Sequence, residues 1–243
     1  MKDSLVIIPT YNEKENIAAI IEKAFSISPD LNILVVEDNS PDGTADIVKK
    51  IQDTEPRLHI LERKGKLGLG TAYIAGFKFG IEKGYKYIIE MDADFSHPPT
   101  SLPGLYGACA HDGYDVAVGS RYINGVNVVN WPMNRVLMSY FASYYVRIIT
   151  GMPLRDATAG FVCYTAEFLK SINLDKIRFV GYAFQIEMKF TAWLKGCKIK
   201  EVPIIFTDRT KGESKMDVGI FKEAFFGVIS LKLKSLFKSP NSY

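Results

Sequence analysis

The sequence predicts an α/β fold around a mostly parallel central sheet, and two observations lead there. Between residues 4 and 91, short β-branched apolar runs alternate four times with helix-spaced stretches. The runs are continuous rather than every-other-residue apolar, as expected of parallel strands covered on both faces.

Taken in order, residues 4–8 (SLVII) predict a strand closed by Pro9. Helix spacing of Ile17, Ile20, Ile21 and Ala24 follows over 13–26, with Thr10 or Asn12 as its cap. Residues 31–36 (LNILVV) form the second strand and run into the acidic turn EDNSPDG at 37–43. A helix over 44–51, a strand over 59–62 and a loop at 65–70 (GKLGLG) come next. The helix over 71–82 sets Ala72, Ala75, Gly76 and Phe79 on its packing side, and 87–91 is the fourth strand. Further on, 115–119 is a strand delivering Ser120 and Arg121, and 134–149 an aromatic-rich helix with Arg135 and Ser139 one turn apart. Strands at 160–164 and 200–207 enclose a helix at 183–194, and 208–215 is a charged loop. With no repeat and no linker, the chain divides into a domain over 1–218 and an appendage over 219–243. In that appendage Phe221, Phe225, Val228, Leu231 and Leu236 share helical spacing with Lys222, Lys232, Lys234 and Lys238. Such a stripe serves either a membrane interface or ordinary core packing.

Composition narrows the class. At 47% apolar and 23% charged, the 243 residues suit a globular protein, and a net charge of +3 gives no reason to expect nucleic acid. Three widely spaced cysteines fit reduced thiols of a cytoplasmic protein, and no apolar run is long enough to span a bilayer.

Right-handed crossovers bring the C-terminal ends of the first four strands to one edge, where open α/β sheets bind ligands. Three turns therefore converge: PTYNE at 9–13, EDNSPDG at 37–43 and DAD at 92–94. Asp92 and Asp94, one residue apart at the end of an apolar strand, point to the same side and can face one point, which suits a hard divalent cation holding substrate phosphates. The plainer reading is an acidic turn. Asp38, nearest its strand end, suits a ribose or base, whereas Asp42 reads equally as an Asx turn or helix cap.

Together, IIPTYNE (7–13), VVEDNSPDGT (35–44), MDADFSHPP (91–99), VGSRY (118–122), NWPMNR (130–135), RDATAGF (155–161) and GESKM (212–216) resemble the family 2 glycosyltransferases. Within them the likeness is to the polyprenyl-phosphate (dolichyl-phosphate) mannose synthases. The resemblance implies a glycosyltransferase-A fold, a single Rossmann-like domain. It implies donor contacts to GDP-mannose from Pro9, Tyr11, Glu13, Glu37, Asp38, Asp92, Ala93, Asp94 and Arg209, and Mg²⁺ or Mn²⁺ on Asp92 and Asp94. It also implies that Arg121, Arg135 and Ser139 receive the acceptor phosphate, with Arg209 and Lys215 on a loop over both substrates. Glu37 stands where members usually carry Asp, and Ser96 where some carry a Gln that completes the metal shell.

The implied reaction moves mannose to a polyprenyl phosphate with inversion at the anomeric carbon. A phosphate monoester is largely dianionic at neutral pH and needs no general base. The lipid acceptor implies a peripheral seat on the cytoplasmic membrane face, with room for a membrane-protein subunit. Alternatives at this point are a UDP-glucose-dependent glucose synthase, a transferase to a saccharide hydroxyl using Asp156 or Glu187 as base, and a nucleotidyltransferase.

Overall fold

The computed structural model describes residues 1–181, 183–208 and 218–237. Its elements are β1 (Ser4–Thr10), α1 (Ile17–Ile27), β2 (Asn32–Glu37), α2 (Thr44–Gln52), β3 (Leu58–Glu62), α3 (Leu69–Glu82) and β4 (Tyr87–Glu90). There follow α4 (Leu102–Ala110), β5 (Val116–Ser120), β6 (Val128–Val129), α5 (Met133–Thr150), β7 (Val162–Thr165) and α6 (Ala166–Ser171). The last are α7 (Ala183–Leu194), β8 (Ile199–Pro203), β9 (Phe206–Thr207) and α8 (Val218–Phe237).

Seven strands form one sheet in the order β3-β2-β1-β4-β7-β5-β8. All pairs are parallel except those of β7, which runs antiparallel between β4 and β5. Alternate strand residues face opposite layers. Val6, Ile8, Ile33, Val35 and Ile89 meet Ile17, Ile20 and Ile21 of α1, Val48 of α2 and Leu105 of α4. Leu5, Ile7, Leu34, Val36 and Ile88 meet Tyr73 and Phe77 of α3, Phe168 of α6, and Phe184 and Met188 of α7. A third cluster joins Val146 of α5, Ile186 and Phe190 of α7, and Val228 and Leu231 of α8.

Several expectations are corrected here. The strand expected over 200–207 is two: β8 ends at Pro203, and β9 leaves the main sheet to pair with β6. Pro203 has no N–H to continue a ladder. The buried face of α3 is Ala72, Tyr73, Gly76, Phe77 and Gly80, so Ala75 and Phe79 stand beside it rather than on it. Helix α4 escaped the periodicity reading because Pro103, Gly104 and Gly107 interrupt its pattern, although Pro is tolerated in a first turn. The first helix begins at Ile17, and neither Thr10 nor Asn12 caps it.

Strand order reverses between β1 and β4, which pair directly, so the PTYNE and DAD turns flank the topological switch point of the sheet. Helix α3 presses closely on this junction, and a Cβ on Gly76 would lie 2.6 Å from Ile7 Cδ1. Gly76→Val is therefore expected to destabilise the fold by about 1–3 kcal/mol through overpacking. Thermal unfolding measures this, and an unchanged midpoint would mean that α3 can stand off the sheet.

Candidate active site

A cleft of about 490 Å³ opens at the C-terminal edge of the sheet. Its wall includes Pro9, Tyr11 and Glu13 from the turn after β1, Asp38 after β2, and Asp92, Ala93 and Asp94 after β4. Arg121 and Arg135 stand in the same lining. The first two turns are laced together: Asn12 N donates to Ser40 Oγ, Glu13 N to Thr44 Oγ1 and Lys14 N to Asp42 Oδ2. Asp42 also accepts from Thr44 N and Oγ1, so it builds the turn rather than the cleft. Burial opposes its charge, but these hydrogen bonds win and hold Asp42 below the usual carboxylate range.

Asp92 and Asp94 lie beyond the end of β4, in a turn containing Phe95 at φ 63°, so strand alternation does not align them. Their setting comes from packing. Asp92 keeps 39% of its side chain exposed and accepts from Tyr73 Oη at 3.1 Å, while its N–H donates to His97 Nδ1 at 3.0 Å. Asp94 is buried and accepts from Ser96 N at 3.1 Å. Beneath this turn, Glu90 is fully buried and accepts from Gln185 Nε2 at 2.8 Å. Lys189, equally buried, donates to Ala159 O at 2.6 Å. Burial pushes Glu90 up to about 8 and Lys189 down to about 8, and each draws the other back toward its charged form.

At the other end, Arg121 is buried on Asp156: Nε and Nη2 bind its two oxygens at 2.7 and 2.6 Å, and the Arg121 N–H adds a third bond at 2.9 Å. The rings of Tyr122, Trp131 and Phe206 lie 5.2–5.7 Å from that guanidinium. Arg135 pairs with Asp208 at 3.0 Å and stacks on Trp131 at 4.1 Å.

Other expected residues stand apart. Glu37 is buried outside the cleft lining, and its Oε1 receives both the N–H and the hydroxyl of Ser40, so it shapes the turn after β2. Asp38 lines the cleft, yet both its oxygens are held by Arg63 at 2.6 and 2.7 Å. Ser139 lies one turn along α5 from Arg135 but outside the lining. Arg209 and Lys215 fall outside the described residues. The two candidate bases are engaged elsewhere: Asp156 by Arg121, and Glu187 by the N–H groups of Arg178 and Phe179. Neither lines the cleft.

Sequence reasoning missed Tyr73, Arg63, Glu90 and Lys189. A charge inside an apolar strand (YIIEM) and a lysine within AFQIEMKF were available signals for the last two.

The sequence matches the description "Glycosyl transferase family 2" over residues 5–172. The chain belongs to that family. Among curated relatives of this glycosyltransferase, the polyprenol monophosphomannose synthase of Mycolicibacterium smegmatis is 44% identical over 226 residues, covering 93% of this chain and 85% of the relative. The undecaprenyl-phosphate mannosyltransferase of Micrococcus luteus is 46% identical over 224 residues, 92% of this chain and 91% of the relative. Among solved structures, a mannosyltransferase from Pyrobaculum calidifontis in complex with GDP-Man and Mn²⁺ superposes with a TM-score of 0.57 at 15% identity. That superposition covers 98% of this chain and 72% of the other. The fold of this glycosyltransferase is the glycosyltransferase-A fold.

Asp156 gives a direct test. Burial works against its charge, and the Arg121 guanidinium overcomes it, holding Asp156 below the ordinary 3.8. Its stabilisation is thus present above the ordinary value and is lost as pH falls through the depressed one. Asp156→Asn should cost about 3–5 kcal/mol near neutral pH by removing the carboxylate charge that compensates the buried Arg121 guanidinium. In denaturant titrations that gap should narrow in acid, and a gap independent of pH would contradict the pairing.

Proposed function

We propose that this glycosyltransferase moves mannose from GDP-mannose to a polyprenyl phosphate, with inversion. One observation carries the phosphate acceptor: an acidic turn and two arginines share one cleft, while Asp156 and Glu187 are both occupied outside it. A hydroxyl acceptor needs a base to take its proton, whereas a phosphate dianion attacks unaided. Arg121 and Arg135 orient that dianion, with Ser139 one turn along α5 outside the cleft lining and Arg209 and Lys215 as further positive charge. Pro9, Tyr11, Glu13 and Asp38 receive the guanosine end, with Asp38 held in register by Arg63. Mannose as the sugar is supported by the names of both relatives.

A divalent cation, Mg²⁺ or Mn²⁺, fits the residues present. Asp92 and Asp94 both line the cleft and offer hard oxygens, and among the described residues no third acidic, His or Cys side chain completes a group with them. Two carboxylates with the remaining positions left to phosphate oxygens and water is the usual arrangement for such ions. When bound, the ion supplies charge stabilisation to the departing diphosphate. Asp94→Asn should lower transfer by about 10²–10³-fold, the range for losing one preorganised group. The assay compares GDP-mannose with UDP-glucose on a short polyprenyl phosphate, with and without EDTA. Transfer from UDP-glucose alone, or an Asp94→Asn enzyme with full turnover, would overturn this reading.

Attachment to a membrane face completes the proposal. No helix among the described residues is long and apolar enough to cross a bilayer. Instead α5 turns Met133, Leu137, Tyr140, Phe141, Tyr144 and Ile148 outward, and α8 adds Phe225, Phe226, Leu233 and Leu236. Stacking of Tyr145 on Phe225 at 4.7 Å joins the two helices into one apolar surface. A face of this kind suits a lipid interface, where the acceptor's tail resides. Lys232, one lysine of the stripe, donates to Thr150 O at 3.1 Å and so serves the packing of α8 on α5. Phe141→Glu and Phe226→Glu together should abolish co-sedimentation with liposomes carrying polyprenyl phosphate and leave GDP binding intact. Unchanged sedimentation would refute the docking surface.

A further inference from the structure

His97, Gly160 and Gln185 line the cleft together with the acidic turn and the two arginines: His97 bonds the Asp92 N–H, its ring stands 6.0 Å from that of Phe206, and Phe206 lies 5.5 Å from the Arg121 guanidinium. A Cβ on Gly160 would stand 3.4 Å from His97 Cε1 and 3.8 Å from both His97 Nε2 and Gln185 Nε2. The absent side chain therefore leaves a recess with two nitrogens at its rim. Both carry hydrogens. His97 Nδ1 accepts the Asp92 N–H, so the ring proton sits on Nε2. Stacking on Phe161, with centroids 5.0 Å apart and planes 9° from parallel, fixes the ring.

The Gln185 amide is fixed as well. Its Nε2 donates to Glu90 at 2.8 Å, and its Oε1 lies 3.5 Å from the Lys189 ammonium. Rotating the amide by half a turn would set its NH₂, which has no acceptor, against the Lys189 ammonium. One Nε2 hydrogen serves Glu90, and the second is left for the cleft. N–H donors of this kind suit hydroxyl oxygens, whereas phosphates suit the arginines and a cation that Asp92 and Asp94 would hold.

We propose that His97 and Gln185, over Gly160, form the seat of the transferred sugar, donating hydrogen bonds to its hydroxyl oxygens and selecting among hexoses. The proposal rests on reading the cleft as a sugar-nucleotide site. The recess shares one cleft with the acidic turn and the arginines, and a site that hydrogen-bonds a hydroxyl discriminates sharply against a sugar that lacks it there.

The test separates the sugar from its nucleotide. Affinities for GDP and for GDP-mannose are measured calorimetrically with Mn²⁺ and no acceptor, for wild type, Gly160→Ala and Gln185→Met. Gly160 has no positive φ and its added methyl meets only ordinary contacts, so Gly160→Ala should fold even if Gln185→Met does not. GDP affinity should hold while GDP-mannose affinity falls about tenfold in each variant, the scale of one hydrogen bond. Equal losses for GDP and GDP-mannose, or no loss for either, would overturn the seat. If wild type prefers UDP-glucose, the mannose reading fails, and the same comparison with UDP and UDP-glucose decides on the seat.

Discussion

The cleft depends on the buried pair of Arg121 and Asp156. Three hydrogen bonds from one arginine to one carboxylate tie the end of β5 to the loop that carries Thr158, Ala159 and Gly160. Charge-assisted, two-pronged contacts of this type fix direction as well as distance. Asp156 N in turn donates to Glu201 at 2.9 Å, and Ser120 Oγ to the same oxygen at 2.7 Å, so β8 joins the assembly. Arg121 and Gly160 therefore keep one mutual position.

That pair is one end of an alternating series under the cleft. Glu90, Lys189, Asp156 and Arg121 are each buried, and neighbours in the series carry opposite charge when ionised. Burying any one of them alone would be strongly unfavourable, so they are present as a set or not at all. Gln185 sits in the middle, with its amide fixed by Glu90 on one side and Lys189 on the other. Rigidity reaches the cleft from below, which suits a reaction that consists of orienting two charged substrates.

The outer surface follows a different logic. On α5 the small residues Ser143 and Thr150 point inward with Val146, while Tyr140, Phe141 and Tyr144 point outward. A helix packed only for stability would have the reverse pattern. On α8 both uses occur together: Val228 and Leu231 fill the third core, and Phe226 remains 68% exposed.

By itself the sequence determined the strands of the α/β core and the convergence of three turns on one edge. Those features follow from local chemistry: β-branched runs, helix spacing and turn residues, read with the handedness of crossovers. Pro9, Tyr11, Glu13, Asp38, Asp92 and Asp94 were legible as neighbours because each follows a strand of that edge, whereas Arg121 and Arg135 were joined to them by the resemblance of their motifs. Tertiary structure alone decided what each charge does. Glu37 turns to Ser40, Asp38 to Arg63, Asp156 to Arg121 and Glu187 to the main chain at 178–179, in every case a partner supplied by folding. The antiparallel insertion of β7, the break between β8 and β9 and the outward aromatic face of α5 belong here too. Spacing along the chain fixes which residues share a face. Which neighbour that face meets depends on contacts between residues far apart in sequence, and no local pattern encodes them.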